Sequence, residues 1–158
     1  MENLKQLAKR KKKTFSKLLK KGNRSQMVRE LPELHDQAFS EIDCLDCAAC
    51  CKNFSPTFKP TDIKRISKHL GMKEGDFIDE YLHVDEDNDY VVKTKPCPFL
   101  QADNTCAVYE VRPTDCARFP YTDSDVFIDK PGLSLKNSTF CPAAFRVLEL
   151  LERTYNQQ

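Results

Sequence analysis

Glycine is scarce in this chain of 158 residues, which holds four, and tryptophan is absent. With so few glycines there is no loop of the kind that cradles a nucleotide phosphate. No stretch approaches the ~18 consecutive apolar residues of a membrane-spanning helix. Histidine occurs three times, at His35, His69 and His83, each far in sequence from the cysteines. A histidine-built metal site is therefore not indicated, and no Ser/His/Asp pattern points to nucleophilic catalysis. The acidic run Asp85-Glu86-Asp87-Asn88-Asp89 lacks the glycine and the closing glutamate of a calcium loop and reads as a solvated turn. The opening segment MENLKQLAKRKKKTFSKLLKK is basic but has no apolar stretch of signal-peptide length. The expectation is a cytoplasmic protein in a reducing compartment.

What the chain has in abundance is cysteine. Four of its eight cysteines fall in Cys44-Leu-Asp-Cys47-Ala-Ala-Cys50-Cys51, and four more follow at Cys97, Cys106, Cys116 and Cys141. In a reducing compartment, clustered cysteines are more often metal ligands than cystines. The adjacent Cys50 and Cys51 cannot easily bridge each other, and four thiols in eight residues leave only short, strained disulfide loops. Soft, negatively charged sulfur binds zinc tetrahedrally and also holds iron–sulfur clusters. Cys44/Cys47 and Cys47/Cys50 share the C-x2-C spacing that lets two thiolates converge. Prolines next to Cys97 and Cys141 stiffen the backbone around those sulfurs.

The net charge of +1 hides an uneven distribution. Residues 1–24 hold ten Lys/Arg and one Glu, a balance of +9, and the other 134 residues hold fifteen Lys/Arg and twenty-three Asp/Glu, a balance of −8. Leu4, Leu7, Phe15, Leu18 and Leu19 recur in the basic segment close to helical spacing. Two readings follow. The helix packs its apolar stripe on the acidic remainder and leaves its lysines solvated, or it touches nucleic acid or anionic lipid.

The expected fold is mainly α, with an irregular, loop-rich cysteine core and a small β-hairpin. Residues 1–40 form a basic N-terminal helical segment, and residues 41–158 form a cysteine-cluster metal-binding domain with a C-terminal helix. The patterning predicts helices over 3–21 and 26–40, the second capped by Asn23 or Ser25. A third, of about ten residues, is capped by Thr61 and closed at Gly71. A short helix over 74–82 precedes a hairpin around the turn 85–89. The proline-rich stretch 96–140 reads as irregular. A last helix runs from Cys141-Pro142 to about 155.

The ordered series C-x2-C-x2-C-C, then C-P-F-L at Cys97, then C-x-V-Y-E-x-R-P-x-x-C-x-x-F-P from Cys106 to Pro120, resembles the YkgJ-type cysteine-cluster family, also known as the zinc- or iron-chelating domain. The resemblance spans about residues 44–142. It implies that Cys44, Cys47, Cys50, Cys51, Cys97, Cys106 and Cys116 form the metal site, with Cys141 as the late cysteine. A related cysteine pattern occurs in flagellin lysine N-methylases, which are longer, and nothing here resembles a methyl-donor pocket.

Three closely spaced cysteines plus remote ones is the style of iron–sulfur ligation. The paired knuckles usual in two-zinc modules are missing. The reading favours one iron–sulfur cluster, of the four-iron type, with zinc as the alternative. The preferred ligands are Cys44, Cys47, Cys50 or Cys51, Cys97, Cys106 and Cys116. Arg112 and Arg118 flank Cys116, either offsetting thiolate charge or making surface ion pairs. Tyr109, Phe119 and Tyr121 either shield the site or belong to the core. Three functions fit: a metal- or cluster-binding protein for carriage, redox sensing or structural support; an iron- or cluster-dependent enzyme; and an interaction module with structural zinc, in which the basic helix carries the function.

Overall fold

Leu4, Leu7, Phe15, Leu18 and Leu19 form one stripe of the first helix, α1 (Glu2–Lys21), and pack into a core. The structure, a computed structural model, describes residues 2–157. In chain order α1 is followed by α2 (Arg24–Glu41), α3 (Cys44–Cys47), α4 (Ala49–Asn53), α5 (Pro60–His69), α6 (Glu74–Tyr81), the strands β1 (Leu82–Val84) and β2 (Tyr90–Val92), a single 3₁₀ turn (Tyr109–Val111), α7 (Thr114–Arg118), α8 (Val126–Asp129), α9 (Pro131–Asn137) and α10 (Pro142–Asn156). The architecture is mainly α with one two-stranded antiparallel hairpin, as the patterning predicts. Among the described residues no helix is long and apolar enough to cross a membrane.

The chain forms two compact units. One comprises the described residues up to Asp43 together with those from Pro120 onward, and the other is Cys44–Phe119. The first, the helical unit, is built on α1, α2, α8, α9 and α10. Its core is Phe15, Leu19, Met27, Leu31, Phe127, Val147, Leu148 and Leu151, with Phe15 meeting Phe145 edge-on at 5.6 Å. The turn between α1 and α2 is tight. A Cβ on Gly22 would lie 2.7 Å from the Leu18 carbonyl oxygen, which is why glycine stands there. Of the two candidate caps, Asn23 is the one used, accepting the Gln26 N–H at 3.0 Å. His35 is bonded to the buried Thr122 hydroxyl at 2.8 Å and rests on Phe39.

The second, the cysteine unit, packs Phe58, Ile63, Ile66, Phe77, Leu82, Val92, Phe99 and Val108 around stacked Phe77 and Phe99. The hairpin pairs Leu82 with Val92 and Val84 with Tyr90, and Phe58 extends it through a bridge to Tyr90. Helix α5 starts two residues earlier than its predicted cap allows. Pro60 takes the first helical position, and the Asp62 carboxylate accepts the Lys59 N–H at 2.9 Å. Thr61 is therefore inside the helix and does not cap it. Gly71 does close it, at φ +68°, in the left-handed region that disfavours other residues. The stretch 96–140 is also more ordered than its prolines suggest. It holds the 3₁₀ turn, α7, α8 and α9, and Pro131 initiates α9 instead of breaking it.

Candidate metal centre

Three separate segments of the cysteine unit carry sulfur to one place. The first is α4, which holds Cys50 and Cys51. A left-handed Ala48 (φ 45°) separates it from α3, so the two short helices of the cysteine run do not continue one another. The second is the loop from Cys97 to Cys106. Its ends are tied by Gln101 N–H to Thr105 O and by Ala107 N–H to Phe99 O, both 2.9 Å, with Asn104 at φ 67° in the turn. The Cys97 N–H also donates to the Cys51 carbonyl at 2.8 Å, which joins this loop to α4. The third is α7, which carries Cys116.

A network centred on Asp62 sets the position of α7. Asp62 is fully buried on α5. Its Oδ1 accepts the Thr114 N–H at 3.1 Å, the Thr114 hydroxyl at 3.0 Å and the Arg65 guanidinium at 2.7 Å. Arg65 in turn donates to the carbonyls of Val111 and Arg112, at 3.2 and 2.8 Å. The R-P-x-x-C segment is thus held from both ends. Burial by itself pushes the Asp62 carboxyl up. The Lys59 amide, the Arg65 guanidinium and the two Thr114 donors reverse this and hold it below the usual carboxylate range. Asp115, next to Cys116, accepts the Thr57 N–H at 3.0 Å and so ties α7 to the segment after α4. Sequence reasoning missed Asp62 and Arg65 as organisers of the site. Their i, i+3 spacing on α5 is visible in the sequence, but it marks an ordinary surface pair unless the partner segment is known.

Cys50, Cys51, Cys97, Cys106 and Cys116 line one cavity of ≈110 Å³. Phe54, Phe58, Phe99, Val108 and Phe119 supply its apolar wall, and Arg112 is the charged side chain in the lining. Phe54 and Phe119 contact each other with ring centroids 4.8 Å apart. The Cys50 and Cys51 sulfurs are 4.0 Å apart. That contact pushes the Cys50 thiol up, with burial adding to it, and pulls the Cys51 thiol down. Burial pushes the Cys116, Cys97 and Cys106 thiols up, and at Cys106 the Val108 amide and Arg112 counter it. Thiolates in such a hollow need a cationic partner, and a metal provides one. The donor set and its dry surroundings fit a thiophilic metal group. Among the described residues, no group of three His, Cys, Asp or Glu side chains stands close enough together to hold a metal ion.

A family model described as "Putative zinc- or iron-chelating domain", with the signature C-x2-C-x2-C-C, matches residues 43–142. The chain belongs to this family. No curated protein and no solved structure matches it. Membership makes zinc or iron chelation the family role, and the cavity is where this chelating domain brings its thiols together. Five of the eight predicted ligands line it. Cys44 and Cys47 sit on α3, with Cys44 exposed, and are not in the cavity wall. Cys141 is the N-cap residue of α10 in the helical unit and packs against that unit's core. Among the described residues none of the eight is in a disulfide.

The other candidates divide. Arg112 is at the cavity, with its guanidinium 4.0 Å from the Tyr109 ring centre and donating to the Tyr109 carbonyl at 2.8 Å. Tyr109 itself is 54% exposed, so it is neither core nor shield. Of the three predicted aromatics, Phe119 is the one in the cavity lining. Tyr121 lies in the helical unit at φ 66°. Arg118 is on the last turn of α7 and outside the cavity lining. His69 and His83 are exposed, and neither they nor His35 is in the lining.

Proposed function

We propose that the cysteine unit binds a four-iron, four-sulfide cluster through thiolates drawn from Cys50, Cys51, Cys97, Cys106 and Cys116. The chain would then serve cluster carriage or redox sensing in a reducing, cytoplasmic compartment. The observation that carries this reading is the cavity with five cysteines in an apolar wall. A lone zinc ion needs four ligands drawn to about 2.3 Å from one point. A cluster takes its thiolates at separate irons and occupies the space between them, which suits sulfurs spread around a cavity of ≈110 Å³. The apolar wall and the Phe54–Phe119 contact exclude water, and exclusion of water tunes a cluster's potential and protects it. When bound, the group supplies one-electron chemistry. The protein's part is to hold the thiolates, keep solvent out and place the Arg112 charge nearby.

Cys44 and Cys47 would act outside the cavity, and Cys141 would be structural. Arg112 also favours a second reading, in which a small anionic substrate meets an iron or cluster site and the protein is an enzyme.

The test is anaerobic purification followed by iron, zinc and acid-labile sulfide analysis with a visible spectrum. A brown protein with a broad band near about 400 nm and stoichiometric sulfide is the expected result. A colourless protein with stoichiometric zinc overturns the cluster reading and leaves a structural zinc module.

A further inference from the structure

Helix α1 belongs to the helical unit and carries none of the cysteines. Lys5, Lys9, Arg10, Lys12, Lys13, Lys17, Lys20 and Lys21 are exposed, while Ala8, Phe15 and Leu19 are buried and Leu4, Leu7 and Leu18 pack with them. At 100° per residue the buried positions occupy one side of the helix, and Lys9, Lys13, Lys17 and Lys20 fall at the middle of the opposite side. Lys11 pairs with Glu152 at 2.7 Å and Arg24, just beyond the helix, pairs with Asp129. Among the described residues no other α1 cation is in an ion pair. The result is a basic ridge about 24 Å long from Lys5 to Lys21, at 1.5 Å per residue.

We infer that this ridge binds the phosphate backbone of double-stranded nucleic acid without reading its sequence. Three observations select that partner. The apolar stripe of α1 is in the core of its own unit, and none of the exposed large hydrophobics (Leu45, Val84, Tyr109) lies on α1, so the helix has nothing to insert into a bilayer. The one aromatic of α1, Phe15, is fully buried, so no ring is offered to stack on unpaired bases. The residues outside 1–24 carry a net −8, so the chain's excess of positive charge is concentrated in the segment that α1 forms. What remains is a rigid row of positive charge, which suits a regularly spaced row of phosphates.

The full-length chain is titrated against a fluorescent random-sequence DNA duplex across about 50–200 mM salt, beside the variant Lys9→Gln/Lys13→Gln/Lys17→Gln/Lys20→Gln and beside phosphatidylserine vesicles. The wild-type affinity is expected to fall steeply with salt. The variant is expected to lower the log–log salt slope by about 3–4 and the affinity at least about a hundredfold, since each neutralised phosphate adds about 0.9 to the slope. Its melting temperature and metal content stay unchanged, because the four side chains are exposed. A wild-type affinity indifferent to salt overturns the inference, and so does an unaltered slope in a folded variant. Vesicle binding that is tighter than duplex binding overturns it in favour of a membrane surface. The wild-type slope keeps the test decisive even for a variant that folds poorly.

Discussion

Asp62 Oδ1 accepts both the backbone N–H and the hydroxyl of Thr114, at 3.1 and 3.0 Å, so a buried carboxylate on α5 holds the first residue of the helix that carries Cys116. The same oxygen takes the Arg65 guanidinium at 2.7 Å. Two elements 52 residues apart thereby share one acceptor, and the sulfur of Cys116 is positioned by a group that never touches it.

Removing that acceptor leaves donors of Lys59, Arg65 and Thr114 without their partner inside the fold. Asp62→Ala is expected to destabilise the cysteine unit by about 1–3 kcal/mol, the range for leaving buried hydrogen-bond donors unpaired, with the half-exposed Arg65 adding little. Urea unfolding followed by circular dichroism reads this directly. An unchanged midpoint would show that the network does not organise the unit.

The same carboxylate gives a signed pH dependence. Its folded pKa lies below the usual value, so the unfolded chain binds the proton more readily. Its contribution to stability is complete above about pH 4, the ordinary aspartate value, and is lost as pH falls through the lower folded pKa. Unfolding free energies of wild type and Asp62→Asn should therefore converge as pH drops below about 4. Parallel curves across that range would contradict the assignment.

The cavity predicts which thiols matter. Cys97→Ser, Cys106→Ser and Cys116→Ser should each lose most of the bound metal and lower the melting temperature, because binding energy at such sites is also folding energy. Cys141→Ser should keep its metal. Metal analysis of the purified variants decides it. Loss of metal in Cys141→Ser together with retention in Cys116→Ser would move the centre away from the cavity.

Phe119 and Phe54 both line the cavity, with their ring centroids 4.8 Å apart. Phe119→Ala should leave anaerobic metal content near wild type and speed its loss in air several-fold, since water and oxygen gain access. A time course of visible absorbance after exposure to air measures it. Equal decay rates would mean the aromatic pair does not shield the site.

Gly71 closes α5 at φ +68° with open space where a Cβ would sit. Gly71→Ala should cost about 1 kcal/mol through backbone strain alone, and Gly71→Asn less, because asparagine tolerates the left-handed region. Thermal melts of both variants test the ranking.

Much of this is legible in the sequence for a local reason. α1, α2 and α10 carry apolar residues at helical spacing, Gly22-Asn23 marks the break between the first two, and the hairpin is flanked by β-branched and aromatic residues around an acidic turn. The cysteine series is legible because spacing and flanking residues identify a chelating family without any fold. Other features are not. Lys59-Pro60-Thr61-Asp62 offers two start positions for α5, and the carboxylate that accepts the Lys59 N–H chooses between them. Prolines at 113 and 131 read as breakers, yet each introduces a short helix, because proline suits a helix start as well as it disrupts a helix interior.

The sequence by itself determined the helical class, the hairpin, the thiol-rich chemistry and the charge asymmetry of the N-terminal helix. These depend on residue type and near-neighbour spacing. Only the tertiary structure decided which five thiols share a cavity, that Tyr109 faces solvent while Phe119 lines the cavity, and that Asp62 and Arg65 hold α7. Each of those depends on where a distant chain segment returns, and a periodic pattern carries no information about that return.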